Sequence, residues 1–258
     1  MNHQQLRDSE PGNSPRAMQL RRLCAARWLA LLAFLSLYSI SAAAQSYAYV
    51  PTHKSNPVSV INITTRSVIA EIPVGVRPLQ VAISPDRAFA YVTNSGWFVP
   101  NNDVSVISAA TNTVVGRTPV GANPVGLALT PDGSFIYVAN CNSASVSVIS
   151  TATNSVVSTV SVGTFPIAIA TTPNGASAYV ATDGDNTVWV INTASNTVAA
   201  TLVAGNTPRG VAVSTDGAYA YVSNRISDDV TIINTATNTV AATISGVAFL
   251  PEGIGIKP

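Results

Sequence analysis

The chain has 258 residues, of which 47% are apolar and only 10% are charged, and its net charge is +1. This composition excludes an intrinsically disordered chain, because such chains are poor in apolar residues and rich in charge. The lysines and arginines are scattered along a nearly neutral chain, so we expect neither a nucleic-acid partner nor a basic membrane-binding face.

Residues 1–44 have the layout of a signal peptide. Arg21, Arg22 and Arg27 precede an apolar run from Trp28 to Ile40, and small residues follow up to Ala44. The run of about 13 residues is shorter than the roughly 20 that span a bilayer, which favours cleavage after Ala44 over an uncleaved membrane anchor. We therefore expect an exported protein, secreted, periplasmic or at the cell surface, with no membrane span in its mature part.

The mature domain is expected to comprise residues 45–258. The segment before Met18 is polar, unlike the start of a signal peptide, which indicates that translation starts at Met18. Residues 1–44 hold 5 of the 13 basic and 2 of the 12 acidic residues, which leaves 8 against 10 in the domain. Cys24 lies in the signal segment, so Cys141 is the only mature cysteine; an intrachain disulfide is excluded and a buried thiol is expected.

The mature sequence is a repeat of about 42 residues. A Tyr-Val pair recurs with spacings of 42, 46, 42 and 42 residues, at Tyr49, Tyr91, Tyr137, Tyr179 and Tyr221. Each copy contains four segments rich in Val, Ile, Thr and Tyr with a period of two, which is typical of β-strands. Turn sequences separate them, such as Pro131-Asp132-Gly133 and Thr153-Asn154. Each copy therefore predicts a four-stranded antiparallel meander.

The repeats resemble the YVTN family of β-propeller repeats. The resemblance rests on Tyr91-Val92-Thr93-Asn94 and its counterparts at Tyr137 and Tyr221, each preceded by P-x-G-V-A-like and S-x-D-G-like strings. It covers nearly all of residues 46–258. It implies a propeller fold and relatives among surface-layer and secreted proteins, and similar repeats grade into lactonase-like and quinoprotein-like propellers.

The predicted fold class is all-β, a propeller of four-stranded antiparallel blades with five blades closed by strands from both termini. Residues 46–75 supply three strands, and residues 252–257 have the sequence of the missing innermost one. Small residues in the innermost strands, such as Ala82 and Ala128, favour a small closed ring and a monomer. Family members commonly have seven blades, so an incomplete ring that completes itself by association is the alternative.

Candidate binding residues lie where the copies differ, on the face that carries the loops after the second strands and the links between blades. The copy with the longer spacing has four extra residues in a loop that contains Trp97 and Phe98, which are suited to stacking on a sugar or a protein, or to acting as a lid. We assign the ligand-binding face to these two aromatics together with His53, Arg77, Phe165 and Arg225.

Four aspartates in adjacent loops form a candidate calcium site, because carboxylate oxygens are the ligands that calcium prefers. They are Asp183, Asp185, Asp228 and Asp229. Asx turns and solvated loop ends explain them equally well. No other cofactor is expected.

The inventory for catalysis is thin, so no catalytic residue is assigned. His53 is the only mature histidine, and Glu71 and Glu252 are the only mature glutamates, which excludes a multi-histidine metal site. We therefore favour a non-catalytic binding or scaffold module for protein or cell-envelope carbohydrate. The alternatives are a lactonase-like or other hydrolytic enzyme with its site at the channel mouth, and a surface-coat unit that assembles through blade edges.

Overall fold

The computed structural model of the protein describes residues 46–54, 56–96, 102–247 and 249–257. This part contains nineteen β-strands and one short 3-10 turn at Cys141–Ser143, and none of its helical segments is long enough to cross a membrane. The strands are β1 Tyr47–Pro51, β2 Pro57–Asn62, β3 Ser67–Pro73, β4 Pro78–Ile83, β5 Phe89–Asn94, β6 Asp103–Ser108, β7 Thr113–Pro119, β8 Pro124–Leu129, β9 Phe135–Asn140, β10 Ser145–Ser150, β11 Ser155–Ser161, β12 Pro166–Thr171, β13 Ser177–Thr182, β14 Thr187–Asn192, β15 Thr197–Val203, β16 Pro208–Val213, β17 Tyr219–Asn224, β18 Asp229–Asn234 and β19 Thr239–Ser245.

The strands form five antiparallel sheets, each a meander in chain order. Sheet 1 has three strands, β1 to β3, and sheets 2 to 5 have four each: β4–β7, β8–β11, β12–β15 and β16–β19. Within each four-stranded sheet, consecutive strands pair and no crossover occurs. The predicted meanders are confirmed.

Polar side chains hold the turn between the first and second strands of each sheet. In sheet 3, Asp132 Oδ1 accepts hydrogen bonds from the Thr130 hydroxyl and the Ser134 backbone N–H. These two bonds hold the pKa of the Asp132 carboxyl below its usual value. In sheet 4, Asn174 Oδ1 accepts the equivalent bonds from Thr172 and from the following backbone N–H. The turn therefore needs an acceptor oxygen at this position, whether or not it is charged.

The first strands of neighbouring sheets lie closest together, and the fourth strands diverge. β8 and β12 approach so closely at Gly126 that a Cβ atom there would clash with the Ile167 carbonyl oxygen. Each fourth strand also carries a register shift against the third, as between Val148 and Ile149, and such bulges increase the twist of a sheet. The first strands thus surround a common centre, as the innermost strands of a propeller do.

Neighbouring sheets bury apolar faces against one another. Between sheets 3 and 4, Val146 and Val148 of the third strand β10 pack with Ala178 and Val180 of the second strand β13. Equivalent clusters join sheets 1 and 2, sheets 2 and 3, and sheets 4 and 5. Because successive side chains of a strand point to opposite faces, apolar residues are available on both faces of each inner sheet.

The repeated tyrosine adds a hydrogen bond across these interfaces. Tyr137 and Tyr179 are fully buried, and their hydroxyls donate to Asn196 Oδ1 at 2.7 Å and Asn238 Oδ1 at 2.6 Å. The acceptor lies in each case in the turn between the third and fourth strands of the next sheet. The Tyr-Val motif and the T-x-N turn motif are therefore two halves of one contact between sheets.

Ring closure is the part of the predicted fold that the described residues do not display. β1 pairs only with β2, and residues 251–257 form no strand. No apolar cluster joins sheet 5 to sheet 1 in the described part of the chain. Closure at five blades stays a prediction, and the predicted signal peptide lies outside the described residues.

We expect the free energy of unfolding to fall as the pH rises from about 10 to about 12. Burial raises the pKa of Tyr137 and of Tyr179 from 10.0 to about 12. A folded-state pKa above the unfolded value means that the stabilisation is complete below the unfolded pKa and is lost as the pH rises through the folded one. Urea unfolding at a series of pH values measures this loss.

The double variant Tyr137→Phe/Tyr179→Phe provides the comparison, because it removes both hydroxyls. Its free energy of unfolding should fall less steeply over this interval than that of the unaltered protein. Tyr219→Phe removes a hydroxyl from a tyrosine that is 38% exposed and serves as the control. Equal slopes for all three proteins would contradict the assignment.

Candidate functional site: a cavity at the channel mouth

One cavity of about 380 Å³ is lined by residues from all five sheets. Its floor comes from the residue that follows the repeated proline at the start of each first strand. In sheets 2 to 5 this residue is Leu79, Val125, Ile167 and Arg209. Because the first strands converge, four equivalent positions of the repeat meet there, and three of them are apolar.

The walls come from two further repeat positions. The residue four positions after the repeated tyrosine contributes His53, Ser95, Cys141 and Asp183 from sheets 1 to 4. The residue before the repeated proline contributes Arg77 and Phe165. The copies differ at these two positions, so each sheet contributes a chemically different side chain to the wall of the cavity.

The residue before the repeated proline adopts a left-handed backbone in every copy, although none of these residues is glycine. The φ angles are +53° at Arg77, +55° at Asn123, +53° at Phe165, +59° at Thr207 and +54° at Leu250. In four copies a side-chain oxygen from the preceding sheet's loop accepts the backbone N–H; Asn56 does so for Arg77 at 3.0 Å. This contact helps to fix the direction in which Arg77 projects.

Arg77 and His53 contact each other at the rim. The Arg77 guanidinium donates to His53 Nε2 from Nη2 at 2.7 Å and from Nε at 3.1 Å. A guanidinium has only donors, so Nε2 must accept and the ring must be neutral in this arrangement. The guanidinium charge is therefore not cancelled by its partner.

Arg209 and Asp183 form an ion pair across the boundary between sheets 4 and 5. The Arg209 Nη2 atom lies 3.1 Å from Asp183 Oδ2, and both side chains are largely buried. Arg209 Nε is buried without a protein acceptor. The pair is neutral overall and leaves one buried donor without a protein acceptor.

Cys141 is a buried wall residue with a protonated thiol. Burial raises its pKa, and a hydrogen bond with Asn123 lowers it by less; Asp183, which raises the pKa, and Arg209, which lowers it, have smaller effects. Since the thiolate is the nucleophile, a raised pKa makes this cysteine unsuited to covalent catalysis. It lines the cavity as a small, weakly polar surface.

The cavity brings together three of the six residues assigned to the ligand-binding face: His53, Arg77 and Phe165. Arg225 does not line it; its Nε lies 2.7 Å from Glu252 Oε1, as an ion pair on the side of sheet 5. Trp97 and Phe98 lie outside the described residues. Three of the six assigned residues thus lie together, and their role in ligand binding stays a prediction.

The four aspartates proposed for calcium have other partners. Asp183 pairs with Arg209, and Asp185 accepts from the Thr164 N–H and the Thr187 hydroxyl. Asp228 accepts from the Leu250 N–H, and Asp229 accepts from Asn224. No group of three or more His, Cys, Asp or Glu side chains capable of holding a metal occurs among the described residues. Calcium binding therefore remains a prediction for which these contacts offer no support.

Sequence reasoning missed the floor of the cavity, above all Arg209. The post-proline position is strand-like in every copy, so it does not stand out from the packing positions around it. The sequence did contain a signal: copies two to four carry an aliphatic residue at this position, whereas copy five carries arginine. The partner of that arginine follows only from the placement of sheet 4 beside sheet 5.

We expect Cys141 to be alkylated by iodoacetamide much more slowly than an exposed cysteine. The measurement uses the Cys24→Ser chain at a pH of about 8, where burial and the raised pKa should reduce the rate at least tenfold. A chain with Cys24→Ser, Cys141→Ser and Ser155→Cys, which places the thiol on an exposed strand, gives the reference rate. Equal rates would show that the thiol is accessible and ionised.

No curated protein matches the chain. Among solved structures, hydrazine synthase of Kuenenia stuttgartiensis is similar at 30% identity and a TM-score of 0.61, with 65% of this chain and 48% of that chain covered. This chain thus spans about half of that one. A functionally unknown protein from Desulfotomaculum acetoxidans DSM 771 is similar at 20% identity and a TM-score of 0.72, over 82% of this chain and 69% of that chain, and shows the fold alone.

The family match is more extensive. The family described as "Lactonase, 7-bladed beta-propeller" matches residues 8–159 and 152–246. The all-β propeller fold is thereby confirmed, whereas the described residues supply five sheets and not seven. The narrower resemblance to YVTN repeats stays a prediction. The five meanders, their converging first strands and this match together place the chain in the lactonase-type β-propeller family.

Proposed function

We propose that the protein binds a small organic anion with an apolar body in the cavity at the channel mouth. The observation that carries the proposal is the convergence of five sheets on one cavity of about 380 Å³ with an aliphatic floor and a cationic rim. A volume of this size suits a small molecule, and an apolar lining with a few placed polar groups is the usual character of such sites.

The charge of the rim supports an anionic ligand. Arg209 is neutralised by Asp183, and His53 is neutral while it accepts from Arg77. The charge of Arg77 is the one left without a carboxylate partner among the residues that line the cavity. A guanidinium offers paired donors that match a carboxylate, so a carboxylate is the group that this rim fits.

The interior supports a ligand with a flat apolar part. Phe165 is 51% exposed at the rim, although it is a large aromatic on a backbone that disfavours it. Leu79, Val125 and Ile167 offer an aliphatic surface below it. An aromatic carboxylate satisfies both the apolar floor and the cationic rim.

We expect benzoate and cinnamate to bind more tightly than uncharged benzamide, as measured by isothermal titration calorimetry. Arg77→Gly should weaken benzoate binding about ten- to hundredfold, since a hydrogen bond to a charged group contributes about 1.5–3 kcal/mol. Glycine at a φ of +53° relieves backbone strain, so the variant should not lose stability.

Arg87→Gly is the matched control for this test. Arg87 is an exposed arginine with a φ of +62°, in the turn between β4 and β5 and away from the cavity. It should leave benzoate binding unchanged. Equal losses in the two variants, or no preference for benzoate over benzamide, would count against the proposal.

Hydrolysis of a lactone is a second candidate, favoured by the family match. In such a reaction water attacks the carbonyl carbon, the ring C–O bond breaks, and a hydroxy acid leaves with a carboxylate that suits the cationic rim. The cavity offers His53 and Asp183 as bases, but His53 Nε2 already accepts from Arg77 and Asp183 already pairs with Arg209. The geometry of the described residues therefore favours binding over turnover.

The two candidate functions can be distinguished because hydrolysis of a lactone releases a proton, whereas binding of an anion without turnover produces no continuing release. We expect aliphatic γ- and δ-lactones to be hydrolysed no faster with the protein than without it, as followed by titration at constant pH. Rate enhancement that disappears in Asp183→Asn but survives in Arg87→Gly would instead establish the hydrolytic function.

A further inference from the structure

The outer face of sheet 1 is exposed where the same face of every other sheet is buried. The valine of the Tyr-Val motif is 0% exposed at Val92, Val138, Val180 and Val222, in sheets 2 to 5. Its equivalent in sheet 1, Val50, is 41% exposed. Ile63 of sheet 1 is exposed as well, whereas Val68 and Ile69 are exposed to a similar degree as their equivalents Val156 and Val157 in sheet 3. This face has the composition of an interface and has no neighbouring sheet among the described residues.

The fourth strand of sheet 5 is exposed in the complementary way, whereas Val230 of its third strand is only 9% exposed. The sixth residue of the fourth strand is nearly buried at Ile72 and Val160, which are 2% and 6% exposed. In sheet 5 the equivalent residue, Ile244, is 48% exposed. The whole strand β19 is exposed along its length. The two end faces are therefore the two halves of the contact that occurs four times inside the chain.

Residues 250–257 extend the sheet 5 face in the position of a following first strand. The Leu250 N–H donates to Asp228 Oδ1 at 2.8 Å, as the Thr207 N–H donates to Asn186 Oδ1 at 2.8 Å one repeat earlier. Gly253 lies beside Gly210 of β16, as Ala168 of β12 lies beside Gly126 of β8. This segment is thus held in place as a first strand, and it pairs with no strand among the described residues.

Sheet 1 lacks the strand that this segment resembles. The string Pro251-Glu-Gly-Ile-Gly-Ile-Lys corresponds to Pro78-Leu-Gln-Val-Ala-Ile-Ser of β4, which pairs with β5. In sheet 2, Val81 lies opposite Val92. The same register places Ile254 opposite Val50 on the unpaired edge of β1.

We propose that the sheet 5 face of one chain docks, with residues 251–257, on the sheet 1 face of a second copy of the chain. The contact is head to tail, so each copy offers one face of each kind. It repeats an interface whose fit is displayed four times in this molecule. It also supplies the missing fourth strand of sheet 1.

A second copy is favoured over contact between the two ends of one chain. Val50 and Ile244 would be buried if the ends met, and both are more than 40% exposed. In the described part of the chain β1 pairs only with β2, and residues 251–257 form no ladder with it. A separate molecule can occupy each face without any change in how the five sheets pack.

The contact should be weaker than those inside the chain. Asn112, Asn196 and Asn238 accept the tyrosine hydroxyl of the preceding sheet, but Arg66 stands at the equivalent position of sheet 1. A guanidinium has no acceptor, so Tyr221 of the docked chain would lack this hydrogen bond. We therefore expect association that is reversible with concentration.

The test measures the molar mass of the full chain by sedimentation velocity over a hundredfold range of concentration. The unaltered chain should associate as its concentration rises. Val50→Arg and Ile244→Arg should each raise the apparent dissociation constant at least tenfold, because each places a charge in one of the two faces. Val115→Arg, at a residue that is 56% exposed on β7, is the control and should associate normally.

A mixture of the two disabled variants separates the head-to-tail contact from any other. The Val50→Arg chain retains an intact sheet 5 face, and the Ile244→Arg chain retains an intact sheet 1 face. Their mixture should form a 1:1 complex that grows no further, although each alone stays monomeric. Circular dichroism and cooperative urea unfolding verify that both variants are folded.

Two outcomes would overturn the proposal. An unaltered chain that stays monomeric at every concentration would show that the faces are covered within the molecule, by ring closure or by another part of the chain. Association that persists in both variants, or variants that do not combine when mixed, would place the contact elsewhere.

Discussion

The structure depends on the burial of two apolar faces per sheet. A single meander cannot exclude water from both of its faces, because its side chains alternate between them. In the inner sheets one face carries the valines of the second strand and the other carries the valines of the third strand, and each meets its complement on a neighbour. Burial of an aliphatic side chain contributes about 1.5–3 kcal/mol, so these interfaces dominate the stability of the domain.

The same packing creates the cavity. Sheets that lie face to face around a centre bring their first strands together, and the close approach of β8 and β12 at Gly126 leaves no room there for a larger residue. The residue after each proline then points to a shared space. A single difference between copies, such as arginine in place of an aliphatic residue at position 209, therefore changes the character of one wall and leaves the interfaces between sheets intact.

Much of the fold follows from the sequence, because its signals are local. Alternating β-branched residues predict the strands, and the Pro-Asp-Gly and Pro-Asn-Gly strings predict the turns that Asp132 and Asn174 form. Two features depend on how one sheet lies against the next, which no local pattern encodes. They are the ion pair between Asp183 and Arg209 and the position of Arg225 outside the cavity. Closure is equally non-local: residues 252–257 have the sequence of a first strand, yet pairing with β1 requires the ends to meet.

The left-handed residues before each proline show how stability and function separate in this repeat. A non-glycine residue in that conformation costs roughly 1–2 kcal/mol, and glycine would avoid the cost. All five copies carry a non-glycine residue there, and two of them, Arg77 and Phe165, line the cavity. Asn123 instead accepts a hydrogen bond from the hydroxyl of Ser95, so its side chain helps to position this wall residue of the cavity. Left-handed non-glycine residues also occur in the exposed turns at the other ends of the strands, as at Arg66 and Arg87, so strain alone does not mark a site. What sets Arg77 and Phe165 apart is that the same backbone conformation presents their side chains to the cavity, where a change of residue alters the lining and leaves the packing between sheets intact.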